Sequence, residues 1–303
     1  MSTLKISDGV VKDEVLVLGL ASTNSKGGIA IEAGDMAIDT KTILSQLVDM
    51  GATGKADEIT KLPGSHVRLI VFTGLGKKSA TYTHETLRRA AGSASRALAG
   101  NSAATFSLPT KSLAEVAAVA EGAALGAYSF TEFRGSTKDD HKAPLKTITV
   151  HSKLAASSEA KASVVRAAVI AKYTYLVRDL INTPPSHLTP DSFTKKLAAV
   201  VKAAGGVKSG LKIQVWDEKQ LKAQGFGGII GVGQGSANPP RLLHISYTPK
   251  GKAAKRYAFV GKGITFDTGG LALKPAAGME AMKSDMSGAA AVSAAVVAIA
   301  ELK

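Results

Sequence analysis

Five charged residues lie close together in a glycine-rich stretch that spans residues 260–288. They are Lys262, Asp267, Lys274, Lys283 and Asp285. Glycines let the backbone approach an ion or a ligand, and carboxylates at the end of a strand can converge on a cation. The stretch therefore indicates a site in which amines and carboxylates act together.

Two kinds of chemistry fit these residues. Lys262 and Asp267 flank a run that we predict to point into a core, where a bare ammonium ion would be costly to bury. A divalent cation would favour the neutral amine and bind it, with Asp267 and Asp285 as oxygen ligands. A buried Lys–Asp ion pair explains the same residues equally well, and the spacing does not separate the two.

Other chemistries are excluded or disfavoured by residue type. The chain has no cysteine, which excludes disulfides, cysteine nucleophiles and thiolate metal sites. Its six histidines are scattered and form no His-Glu-x-x-His pattern, and no Gly-x-Ser-x-Gly nucleophile elbow occurs. The charged residues of the glycine-rich stretch are left as the candidates.

The elements that must position these residues follow from the apolar pattern. We predict strands at 14–20, 67–72, 104–108, 147–151, 211–216, 241–247 and 257–260. We predict helices at 40–50, 84–98, 113–127, 158–182, 190–204 and 287–303, with a short helix around Leu221. Alternating strands and helices are typical of an α/β fold with a largely parallel sheet.

Two glycine-rich segments have open interpretations. Residues 74–77, Gly-Leu-Gly-Lys, follow a strand, but they match neither the dinucleotide fingerprint nor the P-loop, so we predict a strand-to-helix turn. Residues 225–236 are predicted to be a loop that either cradles a ligand or packs beneath a site.

Several sequences around the charged residues resemble the leucine aminopeptidase family, the two-metal cytosol aminopeptidases. Residues 260–270 read Val-Gly-Lys-Gly-Ile-Thr-Phe-Asp-Thr-Gly-Gly, with Lys-Pro at 274–275 and Met-Lys-Ser-Asp-Met at 282–286. Residues 178–185 and 225–241 support the resemblance, which covers about 176–292. For the first domain, the resemblance lies only in the arrangement of strands and helices.

The resemblance implies roles for individual residues. Lys262, Asp267 and Asp285 would bind two divalent cations (manganese, zinc or magnesium), and both aspartates would also contact the substrate. Lys274 would stay charged, polarise the scissile carbonyl and stabilise the oxyanion. Met282 would line the pocket for the first side chain, and a metal-held water would be the nucleophile.

The resemblance also implies a domain plan. We predict a macro-like N-terminal α/β domain at 1–157, a connecting helix at 158–182, and at 183–303 the first part of a metallopeptidase catalytic domain with a mixed central sheet. The family's later motif, Asn-Thr-Asp-Ala-Glu-Gly-Arg, supplies further ligands and an arginine that helps hold a bicarbonate base. That motif does not occur here. We therefore expect an unfinished second domain and a chain that is inactive by itself.

The expected activity is removal of N-terminal residues, preferably leucine or other apolar ones, from peptides by a homo-hexameric enzyme. Two other classes stay open: a DNA-binding relative, because the net charge is +14, and an ADP-ribose-binding first domain. The lysines are spread along the chain, which does not favour specific nucleic-acid binding.

Composition bounds the remaining expectations. The chain has 303 residues, 45% of them apolar and 20% charged, which is an ordinary globular balance with room for two domains. The N-terminus has no apolar secretory signal, and no uncharged apolar run approaches the roughly 20 residues of a membrane span. We expect a soluble cytoplasmic protein without a membrane partner.

Overall fold

The computed structural model describes residues 1–9, 14–251 and 255–303. The chain divides into two compact units, Met1–Lys172 and Tyr173–Lys303. The division falls inside the long helix Ser158–Asn182, whose bounds the helical periodicity predicted. The domain limits at 157 and 183 stay a prediction.

The first unit is built from seven strands and several helices. Its strands are β1 Thr3–Ser7, β2 Val15–Ser22, β3 Ile29–Glu32, β4 Ile59–Pro63, β5 Leu69–Lys77, β6 Ala103–Ser107 and β7 Thr147–His151. Its helices are α1 Thr40–Asp49, α2 His84–Ala97 and α3 Leu113–Gly126, followed by α4 Ser158–Asn182, which continues into the second unit.

The sheet has the order β1-β7-β6-β2-β5-β4, with β3 pairing on β2. The five strands β1, β7, β6, β2 and β5 run parallel to their neighbours. Strands β3 and β4 pair antiparallel. The mixed, largely parallel α/β sheet confirms the predicted fold class.

Strand β2 is the centre of this unit because both of its faces are buried. Val15 and Val17 pack in a cluster with residues of α2 and α3, whereas Leu16 and Leu18 pack in a second cluster with Leu47 of α1. Successive side chains of a strand point to opposite faces, so a continuous apolar run fits a sheet covered on both sides. Helices therefore cover both faces of the sheet.

The predicted strand-to-helix turn at residues 74–77 is wrong, because β5 continues to Lys77. The Gly74 amide donates to the Glu58 carbonyl at 2.9 Å. A Cβ on Gly74 would lie 1.7 Å from the Lys55 carbonyl oxygen. Glycine is required here by the close approach of another backbone segment, and the phosphate-loop interpretation has no support.

Replacing Gly74 with alanine should destabilise the protein by about 1–3 kcal/mol, because backbone atoms must move to admit the methyl group. Chemical denaturation of the variant and of the parent chain measures the difference. Gly135→Ala is the matched control, since nothing lies within 4 Å of a Cβ at that position. Equal losses in the two variants would contradict this account of Gly74.

The second unit contains fewer strands. After α4 come α5 Pro190–Ala203, β8 Leu211–Trp216, α6 Glu218–Ala223, α7 Gly227–Gly233, β9 Leu242–Tyr247, α8 Ala276–Met279 and α9 Ser287–Leu302. Strands β8 and β9 pair antiparallel as a two-stranded sheet. Its buried cluster joins three helices, through Leu180 of α4, Phe193 and Leu197 of α5, and Met286 and Ala290 at the start of α9.

Two predictions for this unit are wrong. The segment 225–236 is not wholly a loop, because residues 227–233 form α7, with the Ile230 amide donating to the Phe226 carbonyl at 3.1 Å. Residues 257–260 are not a strand. Their apolar composition favours a strand, but a strand also needs a paired neighbour, and no described segment pairs with them.

The helical run Ala276–Leu302 is the described segment that is long and apolar enough to cross a membrane, judged by length and composition alone. A core helix passes the same test, and Met286, Ala290 and Val297 are buried within the protein. The run also carries the charged residues Lys283 and Asp285, which agrees with the expectation that the chain has no uncharged apolar run of membrane-spanning length.

Candidate metal centre

The first part of the site is a contact between Lys262 and Asp285. The Lys262 Nζ lies 2.8 Å from the Asp285 Oδ2. Asp285 follows the short 3-10 helix Glu280–Ser284, and its amide donates to the Met282 carbonyl at 3.1 Å. This turn places the carboxylate immediately before α9.

A glycine in each of two segments, Gly261 and Gly288, allows Lys262 to approach the first turn of α9. The Ala289 amide donates to the Lys262 carbonyl at 2.8 Å. A Cβ on Gly261 would lie 2.3 Å from the Gly288 oxygen, and a Cβ on Gly288 would lie 2.9 Å from the Lys262 amide nitrogen. Because neither glycine has a side chain, the backbone around Gly261 can contact the backbone around Gly288, and this contact fixes the position of Lys262.

The second part of the site is a pair formed by Lys274 and Asp267. Their Nζ and Oδ2 atoms are 2.6 Å apart, and the same Nζ donates to the Asp267 carbonyl at 3.3 Å. The loop between them is closed by the Lys274 amide, which donates to the Thr268 carbonyl at 2.9 Å. Gly269 has a φ of +92° and donates to Asp267 Oδ1 at 2.8 Å, so a glycine fits that turn.

The two pairs influence each other electrostatically. The hydrogen bond to Asp285 raises the pKa of Lys262, and the charge of Asp267 adds to this effect. The hydrogen bond from Lys274 lowers the pKa of Asp267, helped by the Gly269 amide and by the charge of Lys262. Two ammonium groups and two carboxylates therefore balance one another in this arrangement.

One premise of the sequence analysis is wrong at Lys262. The run between Lys262 and Asp267 is not a strand that points into a core, since Phe266 is 38% exposed, and the Lys262 side chain is 56% exposed. An ammonium group in contact with water does not carry the burial cost from which the cation was first argued. The Lys–Asp ion pair is thus sufficient to explain Lys262 in this structure.

Asp285 carries the observation that favours a cation. Its Oδ2 is buried, and the partner that the described residues give it is the Lys262 ammonium, 2.8 Å away. Buried polar atoms are normally hydrogen-bonded, and a carboxylate oxygen with open lone pairs suits a divalent cation. Among the described residues no three His, Cys, Asp or Glu side chains gather as a ligand set, so the chain fits part of a cation's coordination shell.

The remaining candidates lie on the short helix before Asp285. Met282 is half-buried there, and Lys283 directs its Nζ to the Asn182 carbonyl at the end of α4, at 3.5 Å. Sequence reasoning named all the residues of the site but did not predict which lysine meets which aspartate. It also missed the Gly261–Gly288 contact, for which the only signal was a glycine in each segment.

The first unit is an α/β sheet covered by helices on both faces, and the second unit carries paired lysines and aspartates that form a candidate cation site. Residues 175–303 match the catalytic domain of the cytosol aminopeptidase family, and residues 17–137 match the N-terminal domain of that family. The chain belongs to the cytosol aminopeptidase family.

Individual relatives agree with this assignment. A probable cytosol aminopeptidase of Rhodococcus erythropolis is 44% identical over 296 residues, which is 95% of this chain and 57% of the relative. One from Streptomyces griseus is 45% identical over 312 residues, which is 96% of this chain and 59% of the relative. The chain thus spans a little over half the length of these relatives.

Solved structures give the same fold. The bottromycin maturation enzyme BotP, in complex with Mn, is similar with a TM-score of 0.74 and 29% identity, over 96% of this chain and 56% of that one. A mutant of tomato leucine aminopeptidase matches with a TM-score of 0.74 over 99% of this chain and 60% of that one. At 22% identity the second likeness shows the fold alone.

Proposed function

We propose that this chain contributes part of the two-metal site of an aminopeptidase that removes N-terminal residues, preferably leucine or other apolar ones, from peptides. The observation that carries the proposal is the pairing of Lys262 with Asp285 and of Lys274 with Asp267 inside the segment that matches the family's catalytic domain. The relative solved in complex with Mn supports a divalent cation.

In this proposal the amine of Lys262 and the carboxylates of Asp267 and Asp285 hold two divalent cations, manganese, zinc or magnesium. When bound, the cations would supply an activated water. Lys274 would leave Asp267 for the scissile carbonyl and stabilise the developing oxyanion.

The substrate contacts are proposed on the same elements. Asp285 would hold the free amino terminus, and Asp267 would contact the substrate beside it. Met282 lies on the short helix that precedes Asp285, and it would line the pocket for the side chain of the substrate's first residue. We assign no residue of this chain to a bicarbonate base.

Three ligand residues underfill a two-metal site, because each divalent cation takes about four to eight ligands. The 303-residue chain by itself should therefore bind manganese weakly and leave a leucine amide analogue intact. Hydrolysis of that analogue, followed with and without added manganese, tests the expectation. The complete Streptomyces griseus relative, assayed in parallel, shows that the assay works, and robust turnover by this chain would contradict the underfilled site.

Location and assembly follow from the family alone. We propose a cytoplasmic enzyme, because the relatives are named cytosol aminopeptidases. We carry the homo-hexamer over from the family resemblance. Beyond the net charge of +14, no described feature favours the DNA-binding alternative.

A further inference from the structure

Lys283 is the lysine of the glycine-rich stretch that the proposed function leaves without a role. The other two lysines of that stretch, Lys262 and Lys274, each meet an aspartate. Within the part of the chain that the structure describes, Lys283 forms no ion pair, and its half-buried side chain donates to the Asn182 carbonyl at 3.5 Å. Lysine is rarely withdrawn from water without a partner, so this backbone contact is the one that Lys283 is placed to make.

The contact lies at the carbonyl end of α4, whose last residue is Asn182. The last four carbonyls of a helix have no partner inside it and form the negative end of its dipole. Thr183 satisfies the Asp179 carbonyl, through its amide at 3.0 Å and its hydroxyl at 2.7 Å. Residues 184 and 185 are both prolines, which have no N–H to donate to the remaining carbonyls. The Lys283 ammonium therefore supplies a donor that the prolines cannot, and it places a positive charge at the favourable end of the helix.

The turn that leads to Asp285 has little stability of its own. The 3-10 helix Glu280–Ser284 has five residues, none of them buried, and no side-chain hydrogen bond at its start. A 3-10 helix has poorer hydrogen-bond geometry than an α-helix. Contacts with the rest of the second unit must therefore hold this turn in place.

Contacts on either side of Asp285 attach the turn to α4. Before Asp285, Lys283 binds the carbonyl of the last residue of the helix. After Asp285, Met286 is fully buried in the cluster that includes Leu180 of α4. Asp285 thus lies between a polar and an apolar contact with the same end of α4, and its carboxylate lies 2.8 Å from the Lys262 ammonium.

We propose that Lys283 is a positioning residue for Asp285. Its ammonium group, bound at the carbonyl end of α4, holds the turn so that the Asp285 carboxylate meets Lys262 and a divalent cation. The inference rests on the proposed function for the cation. The effect of Lys283 on the turn does not depend on the cation and can be measured without any metal.

Electrostatic repulsion predicts the opposite effect on cation binding. A positive charge two residues from Asp285 repels a divalent cation, so removing that charge would strengthen binding if repulsion were its only influence. Removing a positioning contact would weaken binding, because the ligand would no longer be held in place. The direction of the change therefore separates the two roles.

Lys283→Met tests the proposal, because it keeps the apolar stem of the side chain and removes the ammonium group. The affinity of the full 303-residue chain for Mn²⁺, titrated by electron paramagnetic resonance, should fall by about tenfold. The Asp285 amide, which donates to the Met282 carbonyl at 3.1 Å, should exchange faster with deuterium in the absence of metal. Lys283→Arg keeps a cationic donor for the end of α4, so both quantities should stay within about twofold of the parent.

Two controls separate positioning from a general loss of structure. Lys208→Met removes an exposed charge from the 3-10 turn Gly206–Ser209 of the same unit, and it should change neither quantity. The amides of β2, in the first unit, should exchange at the parent rate in every variant. If Lys283→Met does not fold, Lys283→Gln, which is uncharged and one atom shorter, takes its place with the same expected results.

The proposal is overturned if Lys283→Met binds manganese as tightly as the parent or more tightly, or if its Asp285 amide exchanges at the parent rate. Faster exchange in Lys283→Arg that equals the rate in Lys283→Met would also overturn it, because a cationic donor would then not be what holds the turn. A parent chain that binds no manganese would count against the proposed metal site. Faster exchange of the Asp285 amide in Lys283→Met, but not in Lys283→Arg, would still support the positioning of Asp285 by Lys283.

Discussion

Asp285→Asn is expected to weaken manganese binding to this chain by at least about tenfold. The substitution removes the charge from the carboxylate whose Oδ2 is buried beside Lys262. An amide oxygen is a weaker ligand for a divalent cation, and the loss of the charge also reduces the local attraction. The fraction of free Mn²⁺ in a titration, followed by electron paramagnetic resonance, measures the change.

Glu280→Gln is the control for Asp285→Asn. Glu280 is an exposed carboxylate at the start of the short helix that precedes Asp285, so the substitution removes an equal charge from the same segment. Its affinity for manganese should stay within about twofold of the parent, as for an exposed charge that is not a ligand. A parent chain that binds no manganese, with Asp285→Asn lowering only stability, would establish the Lys262–Asp285 ion pair as the whole explanation.

The sequence correctly predicted the helices and strands that a local apolar pattern determines. The continuous apolar run of β2 and the periodicity of α4 were sufficient, because each element buries a face that its own residues define. Strands β1, β3 and β4 were missed. They are short, β1 and β4 lie at the sheet edges and β3 pairs only with β2, so their residues are only partly apolar and partly buried.

Pairing is the part of the fold that local pattern cannot supply. Residues 257–260 have strand composition, yet a strand forms only when another segment offers its backbone, and that depends on distant residues. The opposite error occurred at Gly74, where two glycines indicated a turn although the strand continues past them. At Gly74 the deciding contact is with residues 55–58, and for residues 257–260 no described segment supplies one.

The candidate site shows the same division. Residue types and spacing, together with the family resemblance, identified Lys262, Asp267, Lys274 and Asp285. The cross-pairing of Lys262 with Asp285, 23 residues later, depends on the backbone contact between the two segments, which composition does not reveal. Burial of Lys262 was also misjudged, because it had been inferred from a strand that does not form.

Gly261→Ala should weaken manganese binding by at least about tenfold while leaving most of the fold intact. Its Cβ would lie 2.3 Å from the Gly288 oxygen and 2.6 Å from the Ala289 nitrogen, and neither backbone atom can move without displacing the first turn of α9. Lys262 would shift away from that turn, and its carbonyl would lose the Ala289 amide at 2.8 Å. Lys262 and Asp285 would then no longer meet.

Two measurements separate this effect from general unfolding. Manganese affinity should fall by at least about tenfold, as for loss of a ligand-positioning contact, and the Ala289 amide should exchange faster with deuterium. Gly278→Ala is the control, because nothing lies within 4 Å of a Cβ there, and it should change neither quantity. If Gly261→Ala exposes the Ala289 amide but retains manganese affinity, then the approach of Lys262 to α9 serves the fold alone, and the cation, if bound, is held without the Lys262 amine.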